Sequence, residues 1–357
     1  MTATGAGGLL LRRRIMTIAI CLGGTAVFWL LDLPLPFLLG PLFACLVAAL
    51  SGVPVKDAGM LGKAMRTILG VAIGASITPE LVARAPQMLV SLAMVPLYVV
   101  SIAAIGVPFF RRVYGFDMVT AWYAAMPGGL QDMVLFGQEA GGNARTLALI
   151  HATRIIIIVM ITPFLLVHIF DAGLDNPIGA PAVTLPPHEM LIMVAAAIIG
   201  WKGGERIGLF GAPILGPMIV TAILSLADII HVRPPAEAIL SAQFFIGLGL
   251  GAGYVGITLA EIRRDVVAGL CFVVIVASLA AVFTEAIILF DLAPPVDGFL
   301  AFVPAGQAEM AVLAIVVGAD LGYVVLHHVT RVFLIIAGAP VAARLFGIKK
   351  GGGDSGG

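Results

Sequence analysis

The sequence predicts an all-α integral membrane protein built from two inverted repeats, each of about five transmembrane helices plus one broken, re-entrant helical hairpin. Three observations lead to this fold class: the composition, an internal duplication, and the way charge is distributed between loops. Of the 357 residues, 61% are hydrophobic and 11% charged, and the mean hydropathy is +1.11. Soluble domains carry about a quarter charged residues, so most of this chain must face lipid or other apolar helices. At about 20 apolar residues per crossing, the length admits roughly ten to twelve spans. The duplication is direct: residues 127–163 align without a gap on 304–340, at a constant offset of 177 (127 against 304). Pro127/Pro304, Gly129/Gly306, Met133/Met310, Gly141/Gly318, His151/His328, Thr153/Thr330, Arg154/Arg331 and Pro163/Pro340 are identical, and an acid recurs as Asp132/Glu309.

Taken in order, residues 1–14 end in Arg12-Arg13-Arg14 ahead of an apolar run from Ile15 to Leu31. A signal peptide would show a small-x-small cleavage site, whereas here Leu33-Pro34-Leu35-Pro36 reads as a loop, so a retained first helix is expected. Further helices are expected at 36–50, 60–78 and 87–110, then an interrupted segment at 117–140 and a long helix at 144–170. The linker 171–187 is rich in Pro and Gly and divides the copies. The second copy repeats the order at 188–206, 213–230, 238–259, 265–290, 297–317 (interrupted) and 321–346. The expected organisation is thus a first repeat at 15–170, a second at 188–346, and a disordered, Gly-rich tail at 347–357.

Smaller features recur as well. Leu38-Leu39-Gly40-Pro41 answers Ile214-Leu215-Gly216-Pro217, and Gly70-Val71-Ala72-Ile73-Gly74 answers Gly247-Leu248-Gly249-Leu250-Gly251. Glycines at that spacing let helices approach closely in lipid, where packing replaces the hydrophobic drive. The Gly-Pro pairs predict a kink or a short break. Cys21, Cys45 and Cys271 stand singly in apolar sequence and read as small core residues.

Loop charge sets the topology. Arg12–Arg14, Lys56 with Lys63, Arg111-Arg112, Lys202 with Arg206, Arg263-Arg264 and Lys349-Lys350 are expected on the cytoplasmic side. Asp32, Asp171, Asp175, Asp291 and Asp297 are expected outside, with Arg84 and Arg233 as exceptions. Simple alternation meets this pattern only if each copy crosses an odd number of times, which makes the copies inverted and leaves one element that does not cross. The interrupted segment is the natural candidate, because each of its arms is ~15 Å long as helix, half a bilayer deep. Both termini then lie in the cytoplasm, and the compartment expected is the bacterial inner membrane.

The chemistry-bearing residues gather around the two interruptions. At the tips, Pro127-Gly128-Gly129 and Pro304-Ala305-Gly306 free backbone amides and carbonyls that an ion or anionic solute can satisfy. Gln131 and Gln307 add amides beside them. Asp132 and Glu309 each lie five residues past the tip proline, where the helix dipole stabilises a carboxylate but where membrane depth also makes an acid a candidate for H⁺ or Na⁺ coupling. Arg154 and Arg331 sit about ten residues into long apolar helices and need partners. Asp132 and Glu309 are the expected ones, with an anionic substrate as the alternative. His151 and His328 precede the arginines by three residues and His327 precedes Arg331 by four, so all share the arginine's helix face. They suit a proton role or a bond to a neighbouring helix. Asn143 and Asp320 are expected to cap the long helices.

The paired segments Ala125-Met126-Pro127-Gly128-Gly129-Leu130-Gln131-Asp132-Met133 and Val303-Pro304-Ala305-Gly306-Gln307-Ala308-Glu309-Met310, with Leu38-Leu39-Gly40-Pro41, His151-Ala152-Thr153-Arg154 and His328-Val329-Thr330-Arg331, resemble the AbrB-like family of duplicated bacterial membrane proteins. The resemblance runs over about 15–346. It implies a role labelled as regulation of gene expression, or as an ammonia monooxygenase. The second copy departs from the signature at Ala305 and Gln307.

No P-loop, dinucleotide fingerprint, Ser-His-Asp order or metal-ligand spacing stands out, so no enzyme activity, cofactor or metal is expected. The net charge of zero points away from nucleic acid. The expected partners are the lipid bilayer and a small molecule or ion, and oligomeric state stays open, a homodimer included. The expected function is ion-coupled (H⁺ or Na⁺) secondary transport of a small anionic organic solute. The alternative is a membrane-embedded ligand sensor or regulator, with a monooxygenase third.

Overall fold

The computed structural model describes residues 3–209 and 211–348, with side chains from residue 8 and excepting that of Gln131. Of the tail expected at 347–357, residues 349 onward lie outside the described residues. Among the described residues the fold is all helix, without strands. The first copy comprises α1 (Ala3–Leu30), α2 (Pro36–Leu50), α3 (Met60–Gly74), α4 (Pro79–Arg84), α5 (Leu89–Arg112), α6 (Met118–Ala125), α7 (Leu130–Glu139) and α8 (Ala144–Ile169). The second repeats that order as α9 (Pro187–Arg206), α10 (Ala212–Leu226), α11 (Ala236–Ala252), α12 (Leu259–Glu261), α13 (Val267–Leu289), α14 (Pro295–Phe302), α15 (Gln307–Val317) and α16 (Leu321–Leu345).

Among the described residues, five helical stretches are long and apolar enough to cross a membrane: Gly8–Leu30, Pro79–Arg112, Ala144–Ile169, Leu259–Leu289 and Leu321–Leu345. Four further apolar helices, among them α2, α10, α11 and α15, are shorter, at 10–17 residues. Length and composition therefore make this a membrane protein.

Local signals account for most boundaries. Thr78 caps α4 through its bond to the Leu81 amide, and Pro79 fills the first helical position. The third helix consequently ends at Gly74, short of the expected 78. A 3₁₀ turn over Ala85–Met88, containing Pro86, carries the chain on into α5. On the equivalent stretch of the second copy, Thr258 and Glu261 form a capping box, and a π-helical turn, Ile262–Val266, precedes α13. Asp117 caps α6 by accepting from the Thr120 amide at 2.9 Å. Gly141 (φ 90°) and Gly318 (φ 72°) close α7 and α15 in the left-handed region. That requirement explains why both copies carry glycine there. The expected kink or break at the Gly-Pro pairs is not a break: α2 and α10 run through Pro41 and Pro217.

The chain forms two compact units, and each draws on both copies. One holds residues up to 85, 163–257 and 308–322; the other holds 86–162, 258–307 and 323 onward. In the first unit the copies interlock, with α2 packing on α11 and α10 on α3, while α1 packs on α2 and α9 on α10 within a copy. The repeated glycines make this possible. A Cβ on Gly70 would meet the carbonyl oxygen of Ile214, and one on Gly74 would lie 2.5 Å from that of Met218. Gly247 and Gly251 meet Leu38 and Leu42 in the same manner. The glycine spacing is thus a packing device, as its sequence context implied. Cys21 and Cys45 are buried in this unit, as expected of core residues, whereas Cys271 is exposed.

In the second unit α5 packs on α6 and α13, with two groups of aromatic rings, Phe110 on Phe272 and Tyr98 with Phe283 and Phe302. Both interruptions, residues 126–129 and 303–306, belong to this unit.

Candidate functional site

The two interruptions have the same backbone. α6 ends at Ala125, and the next residue, Met126, is extended (φ −71°, ψ 124°). α14 ends at Phe302, followed by Val303 with φ −59° and ψ 124°. A helix that stops in an apolar setting leaves its last carbonyls without amide partners. Here side chains supply the missing donors, identically in the two copies. Arg154 on α8 donates through Nη1 to Met126 O (3.3 Å) and through Nη2 to Gly128 O (2.8 Å). Arg331 on α16 donates through Nη1 to Val303 O (3.0 Å) and through Nη2 to Ala305 O (2.8 Å). One turn earlier, His151 Nε2 meets Tyr123 O at 3.1 Å and His328 Nε2 meets Leu300 O at 2.8 Å. Each break is therefore stapled by a histidine and an arginine three residues apart on the following long helix.

This geometry corrects the expected partners of the arginines. Among the described residues, no ion pair joins Arg154 or Arg331 to Asp132 or Glu309. The guanidiniums lie against the C-terminal ends of α6 and α14, where the helix dipole and the bare carbonyls favour a cation. They are almost completely buried, at 1% and 3% exposed. Among the described residues, the Nε–H of each finds no partner, nor does the hydroxyl of Tyr98.

The two staples differ in one detail. His328 Nδ1 accepts a further bond from Arg331 Nη2 at 3.0 Å, whereas His151 Nδ1 is buried without a partner among the described residues. His327, expected to share the arginine's face, is instead held by Tyr323 O (2.8 Å) and Ser91 Oγ (3.1 Å), against the rings of Phe302 and Tyr323.

Asp132 and Glu309 occupy the first turns of α7 and α15, as their spacing from the tips required. They fall in different units: Pro127, Gly128, Gly129, Asp132, Pro304, Ala305, Gly306 and Gln307 belong with the staples, and Glu309 with the other unit. There Glu309 is buried and lies within electrostatic range of Arg66. The side chain of Gln131 lies outside the described residues. A Cβ on Gly128 would lie 3.0 Å from Ile335 of α16 and from Met133. α16 thus touches the first tip through Ile335 and the second through Arg331. Asn143 caps α8 by accepting from the Thr146 amide (3.1 Å), as expected, and Asp320, just before α16, forms an ion pair with Arg84 at 3.2 Å.

Three residues that bear on the site were not singled out by the sequence. Tyr98 and Ser91 have no polar counterpart at the 177-residue offset (Ile275 and Ala268), so the duplication gave no signal. Arg66 could have been found: with Lys63 it is one of two cations in the third helix, and it lies one turn before the repeated glycines.

A profile described as "Transition state regulatory protein AbrB" matches residues 11–347. The chain belongs to the AbrB family. Family relatives include "Putative regulator AbrB" of Escherichia coli (strain K12), 23% identical over 335 residues, which are 92% of this chain and 94% of the relative. Another is "Uncharacterized protein YhjN" of Bacillus subtilis (strain 168), 28% identical over 303 residues, which are 78% of this chain and 76% of the relative. No solved structure matches. For this member the match spans both copies, including both stapled tips.

Proposed function

We propose that this AbrB-family protein is an ion-coupled secondary transporter of a small anionic organic solute in the bacterial inner membrane, with both termini cytoplasmic and its repeats inverted. The observation that carries this reading is the doubled staple. Two interruptions lie in one unit, and a buried guanidinium with an N–H to spare is fixed at each break. Broken helices with charged residues beside them are the usual way for a transporter to build a solute site away from lipid. In this reading the tips at 127–129 and 304–306 bind the solute, with Gln131 and Gln307 beside them. Arg154 and Arg331 hold the tips open and supply positive charge, and His151 and His328 fix the last turns of α6 and α14. Asp132 and Glu309 carry the coupling H⁺ or Na⁺, each within its own unit.

The test is uptake into proteoliposomes with a proton gradient, a sodium gradient, or neither. Gradient-driven accumulation that is lost in the Asp132→Asn, Glu309→Gln double variant is the expected outcome. Gradient-driven uptake that persists in that variant removes the coupling assignment.

A second reading is a membrane-embedded sensor that binds the same solute and acts indirectly on gene expression. The name of the Escherichia coli relative favours it. A solute that raises the melting temperature in detergent but never accumulates in vesicles selects the sensor.

A further inference from the structure

Among the described residues, the unit that holds both tips buries several polar atoms that find no bond, Thr284 Oγ1 and His151 Nδ1 included, and three donors stand out among them: Nε–H of Arg154, Nε–H of Arg331 and the hydroxyl of Tyr98. A buried donor without a partner is rare in a native protein, and each one calls for a missing acceptor. Three together, two of them cationic, are rarer still. The two guanidiniums lie within electrostatic range of one another, and Tyr98 lies within range of both. No carboxylate of the described residues pairs with either arginine. Two like charges have therefore been brought together in the interior with their repulsion unanswered.

The phenol is held firmly. The Tyr98 ring on α5 packs edge-on against Phe283 at 5.1 Å and Phe302 at 5.5 Å. Phe302 is the last residue of α14, directly before the second tip. The three donors are thus tied to the tips by covalent neighbours and by the staples themselves.

We propose that these donors bind a carboxylate: Arg154 and Arg331 each present one side-on N–H, Tyr98 donates its hydroxyl, and Phe283 and Phe302 form the apolar wall against which the organic part of the ligand rests. This deepens the transporter reading and rests on it for the unit's role as a solute seat. The donor count selects the class. A carboxylate offers two oxygens with about four lone-pair sites, which three donors nearly satisfy. A phosphate dianion has more acceptor positions than three donors serve. The guanidinium forks, the usual bidentate phosphate grip, are already engaged by the tip carbonyls. Tyr98 is the specificity-determining residue, because it adds a neutral, directional donor to two charges that would attract any anion.

The experiment uses the purified full-length protein in detergent, with acetate, benzoate, chloride and inorganic phosphate as probes at matched ionic strength. The melting temperature is followed against probe concentration. The carboxylates should stabilise at concentrations at least tenfold below those at which chloride or phosphate acts. Tyr98→Phe should weaken carboxylate binding about tenfold or more, since a hydrogen bond to a charged group is lost, while the ligand-free melting temperature stays close to that of the parent. Equal stabilisation by all four anions, stabilisation by none of them, or an unchanged affinity in Tyr98→Phe overturns the proposal. Arg154→Lys and Arg331→Lys remove staples as well as donors, so the isosteric tyrosine variant decides. Solute uptake that is indifferent to Tyr98→Phe overturns this site but leaves the carrier standing. Tyr98-dependent carboxylate binding in a protein that accumulates nothing keeps the site and removes the carrier.

Discussion

Substituting alanine at Gly247 tests whether the repeated glycines set the packing of the first unit. The new Cβ would fall on the carbonyl oxygen of Leu38 and 3.2 Å from the amide nitrogen of Leu42. Both atoms are backbone of α2, so neither can swing aside, and the helices must part. Overpacking of this kind costs about 1–3 kcal/mol, offset by up to about 1 kcal/mol from replacing glycine with alanine inside a helix. The net expectation is a loss on the order of 1–2 kcal/mol. Gly249, two residues along the same helix, supplies the control. The nearest atom to a Cβ there is an Arg66 guanidinium nitrogen at 3.7 Å, an ordinary contact at the end of a flexible side chain. Gly249→Ala should therefore keep the propensity gain and be neutral or slightly stabilising. Thermal denaturation in detergent, followed by far-ultraviolet circular dichroism on both variants, measures the difference. Gly70→Ala should fall with Gly247→Ala, because it meets Ile214 O and Pro217 Cβ. Equal melting temperatures for Gly247→Ala and Gly249→Ala, or the reverse order, would refute the close-approach argument.

The remaining predictions concern bonds and charges. Arg331→Gln should strand the carbonyls of Val303 and Ala305, at about 1–3 kcal/mol for each buried acceptor, partly offset by removal of a desolvated charge. A lower melting temperature with reduced uptake is expected, and the same for Arg154→Gln. His231, in the connection between α10 and α11, has Glu189 at 3.2 Å from one ring nitrogen and Asp228 at 3.1 Å from the other. Its bond to Glu189 first, and that to Asp228 second, raise its pKa above the usual histidine value. Because the folded value is raised, the stabilisation is fully present below the unfolded value near 6.5 and disappears as pH climbs through the folded one. Melting temperature against pH should fall across that range in the parent and flatten in His231→Gln. Arg145 and Glu261 form an ion pair at 2.7 Å, 43% and 22% exposed. A double-mutant cycle on this pair should give no more than about 1 kcal/mol, shrinking as salt is added.

Much of this architecture was legible in the sequence because duplication marks position independently of propensity. The offset that pairs Pro127 with Pro304 and Arg154 with Arg331 located both broken helices, their closing glycines at 141 and 318, and the helix carrying each staple. What stayed hidden was the identity of partners. An arginine in apolar sequence declares that it needs an acceptor, and the acids recurring at 132 and 309 were the visible ones. The true acceptors are backbone carbonyls, which every residue carries and which become special only where a helix stops. Ser91 meets His327 across 236 positions of sequence, and no periodicity connects them. The grouping into units was equally out of reach, since the copies are read as consecutive blocks whereas the compact units interleave them. The split of Asp132 and Glu309 between those units follows from the same interleaving.

The interlocking of α2 with α11 and α3 with α10 also bears on how the protein is made. When residues 36–74 leave the ribosome, the surfaces they are shaped for lie some 150–200 positions downstream. At 5–20 residues per second, that is roughly 8–40 s of synthesis. Throughout that interval the glycine-lined grooves of α2 and α3 have no occupant, and lipid cannot fill them as a helix backbone does. Cutting the gene at the linker should therefore yield two polypeptides that are each degraded when alone and rescued when co-expressed.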